Sequence, residues 1–545
     1  MTTEPRRVKS SWWSTRERDV VLISTAIKLS LFSAYRSTDF EVHRNWLAVT
    51  HSLPLTKWYH DTTSEWTLDY PPFFAYFERV LAKVAYAVDP EIVRLDNLGY
   101  SGHACVWFQR STVVLSELVL VHAVYKWARL ETTRRGGIDE TTAFAIASSL
   151  VLHPGLLIVD HMHFQYNGFL LGILLTSIVF AQENRLYSCA ATFAALLHFK
   201  HIFVYLAPPF AIFLFRRHCF PSTTTKGRGG FKLDRLVELG LVVVAVSVVS
   251  FGPFLIAASS SSSGGGGALS ELRQIVARLF PFQRGLNHAY WAANVWALVS
   301  ATDRVLVKYL VSRGVAIDPT ALASSSRGLI GQTSFGVLPD VSPLTTFVAT
   351  IAFVSLYLAK LWRTPTHSNF VECVVLSAMT SFLWGWHVHE KAVLLFLVPL
   401  SLLATKDDNH FRAYRIATVA GVYSLFPLLI NAAETPIKII FSTVWFALVF
   451  PQLRRVVYRP LPTNVFQVLI DKCETFYLVG FVFVQLYTSI LHPLYFSNNN
   501  DNNRGGGEGG DGSSWEFLPL MLTSVYCAVG IVTSWIRLSW GYFFL

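Results

Sequence analysis

The sequence predicts an all-α polytopic membrane protein, and three observations carry that prediction. Hydrophobic residues fill 52% of 545 positions and only 15% are charged, where a soluble domain carries roughly a quarter. Mean hydropathy is +0.41. The apolar residues also gather into runs of about 20, the length that crosses a ~30 Å hydrocarbon core.

Basic residues mark the order and direction of the spans. The first apolar run starts behind Arg6, Arg7, Lys9, Arg16 and Arg18. That pattern fits an uncleaved first helix at about 20–36 with a cytosolic segment 1–19 before it. The stretch 37–104 is rich in acids and is expected outside the cytosol. Within it, Pro71-Pro72 can open an amphipathic helix over Phe73–Val88. A second helix at about 106–128 returns to Lys126, Arg129, Arg134 and Arg135. A third runs to about His153, and His153–Tyr166 is expected to turn on the non-cytosolic side.

Helix four ends near Glu183, helix five covers about 187–198, and helix six falls into the most basic loop, Arg216 to Arg235. Helix seven covers about 236–257. Segments near 290–312, 344–362, 370–386, 391–405, 412–431, 436–451, 467–492 and 516–540 bring the expected total to between 11 and 14. The tracts Ser259–Gly267 and Asn498–Gly512 read as flexible polar loops, within loops 259–290 and 494–514. Residues 20–545 therefore read as one transmembrane domain. The net charge of +10 sits in short loops at alternate helix ends, so it is a topology signal and not a nucleic-acid surface. Six scattered cysteines read as core residues, without a disulfide framework or a zinc site.

Under this topology the chemically informative clusters converge on one face. Asp39 and Glu41, with Arg44, Asn45 and Trp46, stand at a helix exit, where a partly desolvated carboxylate can act as a general base. A helix cap with a solvated pair is the structural alternative. Asp69-Tyr70-Pro71-Pro72 should be rigid, because each residue before proline is pushed from the helical region. It offers an acid and an aromatic face to a sugar. Asp160, His161, His163, Gln165 and Asn167 form the densest polar run. Two histidines two apart face different sides of a helix, so hydroxyl recognition outweighs metal binding there. His198, Lys200 and Arg284 supply positive charge, which suits a phosphate, although lipid snorkelling is the bland reading. His387, His389, Glu390 and Lys391 begin another helix, without the second histidine of a zinc HExxH motif.

Five of these blocks, in order over about 20–490, carry a resemblance: Asp39–Trp46, Asp61–Pro72, Asp160–Asn167, Arg278–Gly285 and Val388–Lys391. They look like the endoplasmic-reticulum dolichyl-phosphate-glucose-dependent α-1,3-glucosyltransferases of asparagine-linked glycan assembly, which have the GT-C membrane fold. Two sister enzymes add the first and the second glucose. The versions Ser37–Trp46, Leu197–His201 and Gly385–Lys391 resemble the second.

The resemblance implies a donor, dolichyl β-D-glucosyl phosphate, and an acceptor, the monoglucosylated dolichyl-diphosphate oligosaccharide. It also implies an endoplasmic-reticulum membrane with the site facing the lumen, an inverting transfer, and no metal or other cofactor. Asp39 falls on the family's catalytic aspartate. Lys200, Arg284, His389 and Lys391 are then candidates for neutralising the leaving phosphate, and Glu41, Arg44 and Asp69 for holding the base and sugars. The rival readings are the sister enzyme adding the first glucose and a flippase for lipid-linked sugars. Transporters usually place such charges near the midplane between paired repeats, and no repeat is visible in the sequence.

Overall fold

A computed structural model describes residues 13–134, 136–220, 230–260, 267–280, 285–287, 291–317, 334–429, 431–458, 464–495 and 517–544. Among these residues the chain is helical throughout, with one isolated bridge between Asn287 and Val388. Seven helical spans are long and apolar enough to cross a membrane: His103–Thr133, Glu140–Met162, Leu233–Ser260, Pro343–Arg363, Ala432–Val456, Val465–Tyr495 and Leu518–Phe544. Asn167–Gln182 and Leu186–Phe199 are apolar but shorter.

This count falls below the expected 11 to 14, for a physical reason. Several expected spans lie inside the bundle, where protein and not lipid surrounds them. Leu394–Ser401 is fully buried and only eight residues long, continued by the 3₁₀ turn Glu390–Val393. Ala207–Cys219 likewise follows the 3₁₀ segment His201–Leu206. Irregular backbone is tolerated at membrane depth where neighbouring helices cover it.

The first helix also starts earlier than expected, at Thr15–Ser30, because Ser14 and Glu17 form a reciprocal capping box. His153–Tyr166 is not one turn. Pro154 restarts the helix, and the π-helical segment Leu157–Met162 carries it to His163. Ser259–Gly267 is described only at its ends, and Asn498–Gly512 lies outside the described residues. Five cysteines are buried as expected, but Cys473 is exposed on the Val465–Leu486 helix.

Among the described residues, two large apolar clusters and a small third one around Leu286, Trp296 and Phe335 organise the molecule. The larger joins the interior helices, including Asn167–Gln182 and His367–Trp384. The second gathers Phe40, Trp46, Tyr59, Phe74, Phe164 and Tyr166 around the helices Thr38–Ser52 and Pro72–Val88. A buried ion pair with a histidine beside it sits among the membrane-spanning helices. Lys28 Nζ lies 2.5 Å from Glu117, and His161 Nε2 lies 2.8 Å from the same carboxylate oxygen. Charges at this depth are retained only when paired.

Candidate active site

Polar side chains from four segments meet where the two large apolar clusters join. Asp39 stands in the first turn of Thr38–Ser52, where the helix dipole favours an acid. Ser37 precedes it at the cap position and donates its hydroxyl to the His163 carbonyl, tying this turn to the end of the π-helical segment. Lys391 Nζ lies 2.6 Å from Asp39 Oδ2. Gln165 Nε2 donates to the same oxygen at 2.7 Å, and His163 Nε2 is 3.2 Å away.

The network extends from Asp39 to a second cation. Lys200 Nζ donates to Gln165 Oε1 at 3.3 Å and to Asn167 Oδ1 at 3.4 Å, and it stands 4.8 Å from the centre of the Tyr70 ring. Gln165 therefore bridges Asp39 and Lys200, and that bridging fixes its amide orientation. Asp69, half-buried beside Tyr70, contributes to the field at Lys200.

The electrostatics follow from this geometry. Burial alone favours a neutral Asp39 carboxyl, but the Lys391 ammonium, through its charge and its hydrogen bond, holds it well below the usual carboxylate range. Burial also opposes the charge of Lys391, yet Asp39 and Glu390 outweigh it and raise the ammonium above its ordinary value. Lys200 has no such direct partner. Burial, reinforced by repulsion from Lys391, brings it down to about 8. The site thus holds one firmly ionised acid, one firm cation and one cation balanced near physiological pH.

Backbone strain concentrates at the same place. Among the described residues, three non-glycine positions have positive φ: Phe164 (φ 82°), Asn184 (φ 59°) and His387 (φ 50°). Phe164 lies between His163 and Gln165, and His387 lies four residues before Lys391. Strain of this kind persists where packing over-determines it. Phe164 is fully buried against Phe40, His43 and Tyr166.

Other expected site residues turn out to build the frame. Arg44 is fully buried and grips Glu41 through two bonds of 2.8 Å, while its Nη1 holds the carbonyls of Ile92 and Arg94. Its donors are committed, so neither member of that pair reaches the Asp39 network through the other. Trp46 is buried beneath Tyr70, with ring centroids 5.0 Å apart, and offers no face to a sugar.

Asp160 is buried as well. It accepts from the Gly168 backbone N–H at 2.6 Å and from Asn167 Nδ2 at 2.9 Å, capping the Asn167–Gln182 helix. A side chain at Gly168 would meet Glu117 Cγ at 2.8 Å, so the close approach needs glycine. Asn167 serves both sides, holding Asp160 and accepting from Lys200. His198 turns away, 3.0 Å from Ser247 and wedged between Phe73 and Phe251.

At the other wall, His387 Nδ1 meets the Gly285 carbonyl at 2.7 Å, and its backbone N–H donates to Leu286. Its ring is 5.4 Å from that of His389. Glu390 is buried behind Lys391 and supports its charge. Arg284 lies outside the described residues.

Three residues outside the sequence motifs hold this arrangement. Tyr35 Oη lies 2.5 Å from His163 Nδ1. Buried Arg110 donates to the carbonyls of Tyr35, Ala34, His161 and Met162, joining the segments before Asp39 and before His163. Glu117 holds His161 from below. Arg110 and Glu117, the only Asp, Glu, Lys or Arg in the stretch 103–125, were the available signal, because membrane-depth charges are rarely idle.

Together these groups can deprotonate a hydroxyl and neutralise an anion on the same wall. The chain matches the model of the ALG6, ALG8 glycosyltransferase family over residues 24–538. Its relatives include a Gibberella zeae protein, 46% identical over 528 residues that span 96% of this chain and 97% of the relative. A Bos taurus protein is 41% identical over 97% of this chain and 95% of its own length. An Arabidopsis thaliana protein is 42% identical over 94% and 95%. All three bear the name dolichyl pyrophosphate Glc1Man9GlcNAc2 alpha-1,3-glucosyltransferase.

Proposed function

The chain belongs to the ALG6, ALG8 glycosyltransferase family, and we propose that it moves glucose from dolichyl β-D-glucosyl phosphate to the monoglucosylated dolichyl-diphosphate oligosaccharide. It is an α-1,3-glucosyltransferase that adds the second glucose, as the names of its relatives describe. In this reading the protein works in the endoplasmic-reticulum membrane, with the Asp39 wall facing the lumen.

A β-linked donor and an α-linked product require one inversion, hence a single displacement. The acceptor hydroxyl attacks C1 of the glucose as its proton passes to Asp39 and the C1–O bond to phosphate breaks. The leaving dolichyl phosphate needs charge neutralisation more than a proton. Lys391 and Lys200 supply it, so the reaction draws on side-chain charge without a cofactor.

The observation that carries this reading is the contact of Lys391 with Asp39 at 2.6 Å. An arriving phosphate competes with Asp39 for that ammonium. As Lys391 turns to the phosphate, the charge that suppressed Asp39 basicity is withdrawn, so donor binding itself strengthens the base. Tyr70 and Asp69 frame the sugar, with Lys200 over the Tyr70 ring.

The test is Asp39→Asn in purified protein given donor and monoglucosylated acceptor. Loss of the general base predicts a kcat decrease of about 10²–10⁴-fold. Normal transfer by the variant would refute the mechanism.

A further inference from the structure

We propose that Tyr35 locks the tautomer of His163 so that His163 receives the acceptor proton from Asp39, a relay that rests on the transfer reaction proposed above. The geometry at one phenol oxygen leads there. Tyr35 Oη lies 2.7 Å from the Leu428 carbonyl and 2.5 Å from His163 Nδ1. A carbonyl only accepts, and a hydroxyl has one proton, so the Tyr35 proton goes to Leu428. The phenol oxygen then faces His163 with a lone pair, and Nδ1 must carry a hydrogen. A neutral His163 consequently presents an unprotonated Nε2 on its other side. There it meets Asp39 Oδ2 at 3.2 Å and Lys391 Nζ at 3.3 Å.

The frame around this pair is held from several elements. The Tyr35 backbone N–H donates to Glu434 at 2.9 Å, and its carbonyl accepts from Arg110 at 2.9 Å. Arg110 also holds the carbonyls of His161 and Met162, immediately before His163. Phe164, which follows directly, takes a left-handed backbone conformation. The charged and titratable groups facing His163 are Asp39 and Lys391 directly, Tyr35 at the back, and Arg110 and Glu434 beyond it.

In the resting site Lys391 donates to the Nε2 lone pair. When Lys391 turns to the donor phosphate, that lone pair opens to Asp39. The acceptor oxygen forms its bond to C1 as the C1–O bond breaks and its electron pair leaves on dolichyl phosphate. The hydroxyl proton goes to Asp39, passes to His163 Nε2, and leaves the imidazolium for water as the products depart. His163 thus accepts on Nε2 while Nδ1 keeps its hydrogen against Tyr35.

Two variants separate this role from support of the fold. His163→Asn keeps an amide donor near Nδ1 for Tyr35 and removes Nε2. Tyr35→Phe keeps the ring packing and frees the tautomer. With donor and monoglucosylated acceptor, His163→Asn is expected to lower kcat about 10–100-fold, with KM changed less than about threefold. Tyr35→Phe is expected to lower kcat about fivefold or more with KM changed less than about threefold, because the ring then also samples the tautomer whose Nε2 carries the hydrogen. Wild-type kcat in Tyr35→Phe would overturn the relay, even if His163→Asn failed to fold. Wild-type protein and Asp39→Asn are run beside them: normal transfer by Asp39→Asn would instead overturn the base on which the relay rests.

Discussion

Lys200→Arg tests how the site handles an anion. Burial, reinforced by Lys391, leaves Lys200 near 8 in the free enzyme, down from an ordinary 10.5. The group is charged below that pH and neutral above it. If the charged form receives the donor phosphate, kcat/KM for the donor is flat below about pH 8 and falls roughly tenfold per unit above it. At pH 9 only about one enzyme in eleven then carries the charge.

Bound phosphate changes this balance. An ammonium and a phosphate about 4 Å apart attract by about 4 kcal/mol at an effective dielectric of 20, close to three pKa units. The limb should therefore appear in kcat/KM, which reports the free enzyme, and not in kcat up to about pH 9.5. Neither Lys391, raised above its ordinary value, nor Tyr70, well above 10, produces it. In Lys200→Arg the guanidinium stays charged, so the limb disappears while the neutral-pH rate falls less than about tenfold. By linkage, the lowered lysine also makes the wild-type folded state gain stability as pH rises from about 8 to 10.5. The assay is labelled-glucose transfer in lipid nanodiscs from about pH 6.5 to 9.5. A flat wild-type kcat/KM, or an unchanged limb in the variant, would refute the assignment.

The buried charges give two stability predictions. Lys28→Met removes the ammonium 2.5 Å from Glu117 and should destabilise the protein by about 3–5 kcal/mol in reversible detergent unfolding. Adding Glu117→Leu should recover about 1–3 kcal/mol relative to the sum of the single changes, and strict additivity would contradict the pairing. Arg44→Met should cost a similar amount, since it strands Glu41 and two carbonyls. The correctly folded fraction should retain the wild-type donor KM, whereas a large KM increase would put Arg44 in contact with substrate.

Much of the architecture was legible because hydropathy and Pro/Gly punctuation are local signals. The expected helix at about 187–198 is observed at Leu186–Phe199, and that at 236–257 as Leu233–Ser260. The core of the site was legible too: Asp39, His163, Gln165, Lys200 and Lys391 were all marked by their types and are joined in the structure. What sequence could not separate was working polar groups from supporting ones within the same motif. Asp160 and Gln165 lie five residues apart, yet one caps a helix and the other holds Asp39. That difference depends on the π-helical segment and the left-handed Phe164, neither of which leaves a periodic signature. Tyr35 was invisible for a related reason, since its partners His163 and Leu428 are brought to it only by the folded bundle.

The central claim is the acceptor. Purified wild-type protein is given dolichyl phosphate glucose and lipid-linked Man9GlcNAc2 bearing zero, one or two glucoses, with product linkage read by glycosidase digestion and mass. Transfer to the monoglucosylated acceptor, through an α-1,3 bond, is expected at a kcat/KM well above that for the other two. Preference for the unglucosylated acceptor would contradict it and assign the chain to the first glucose.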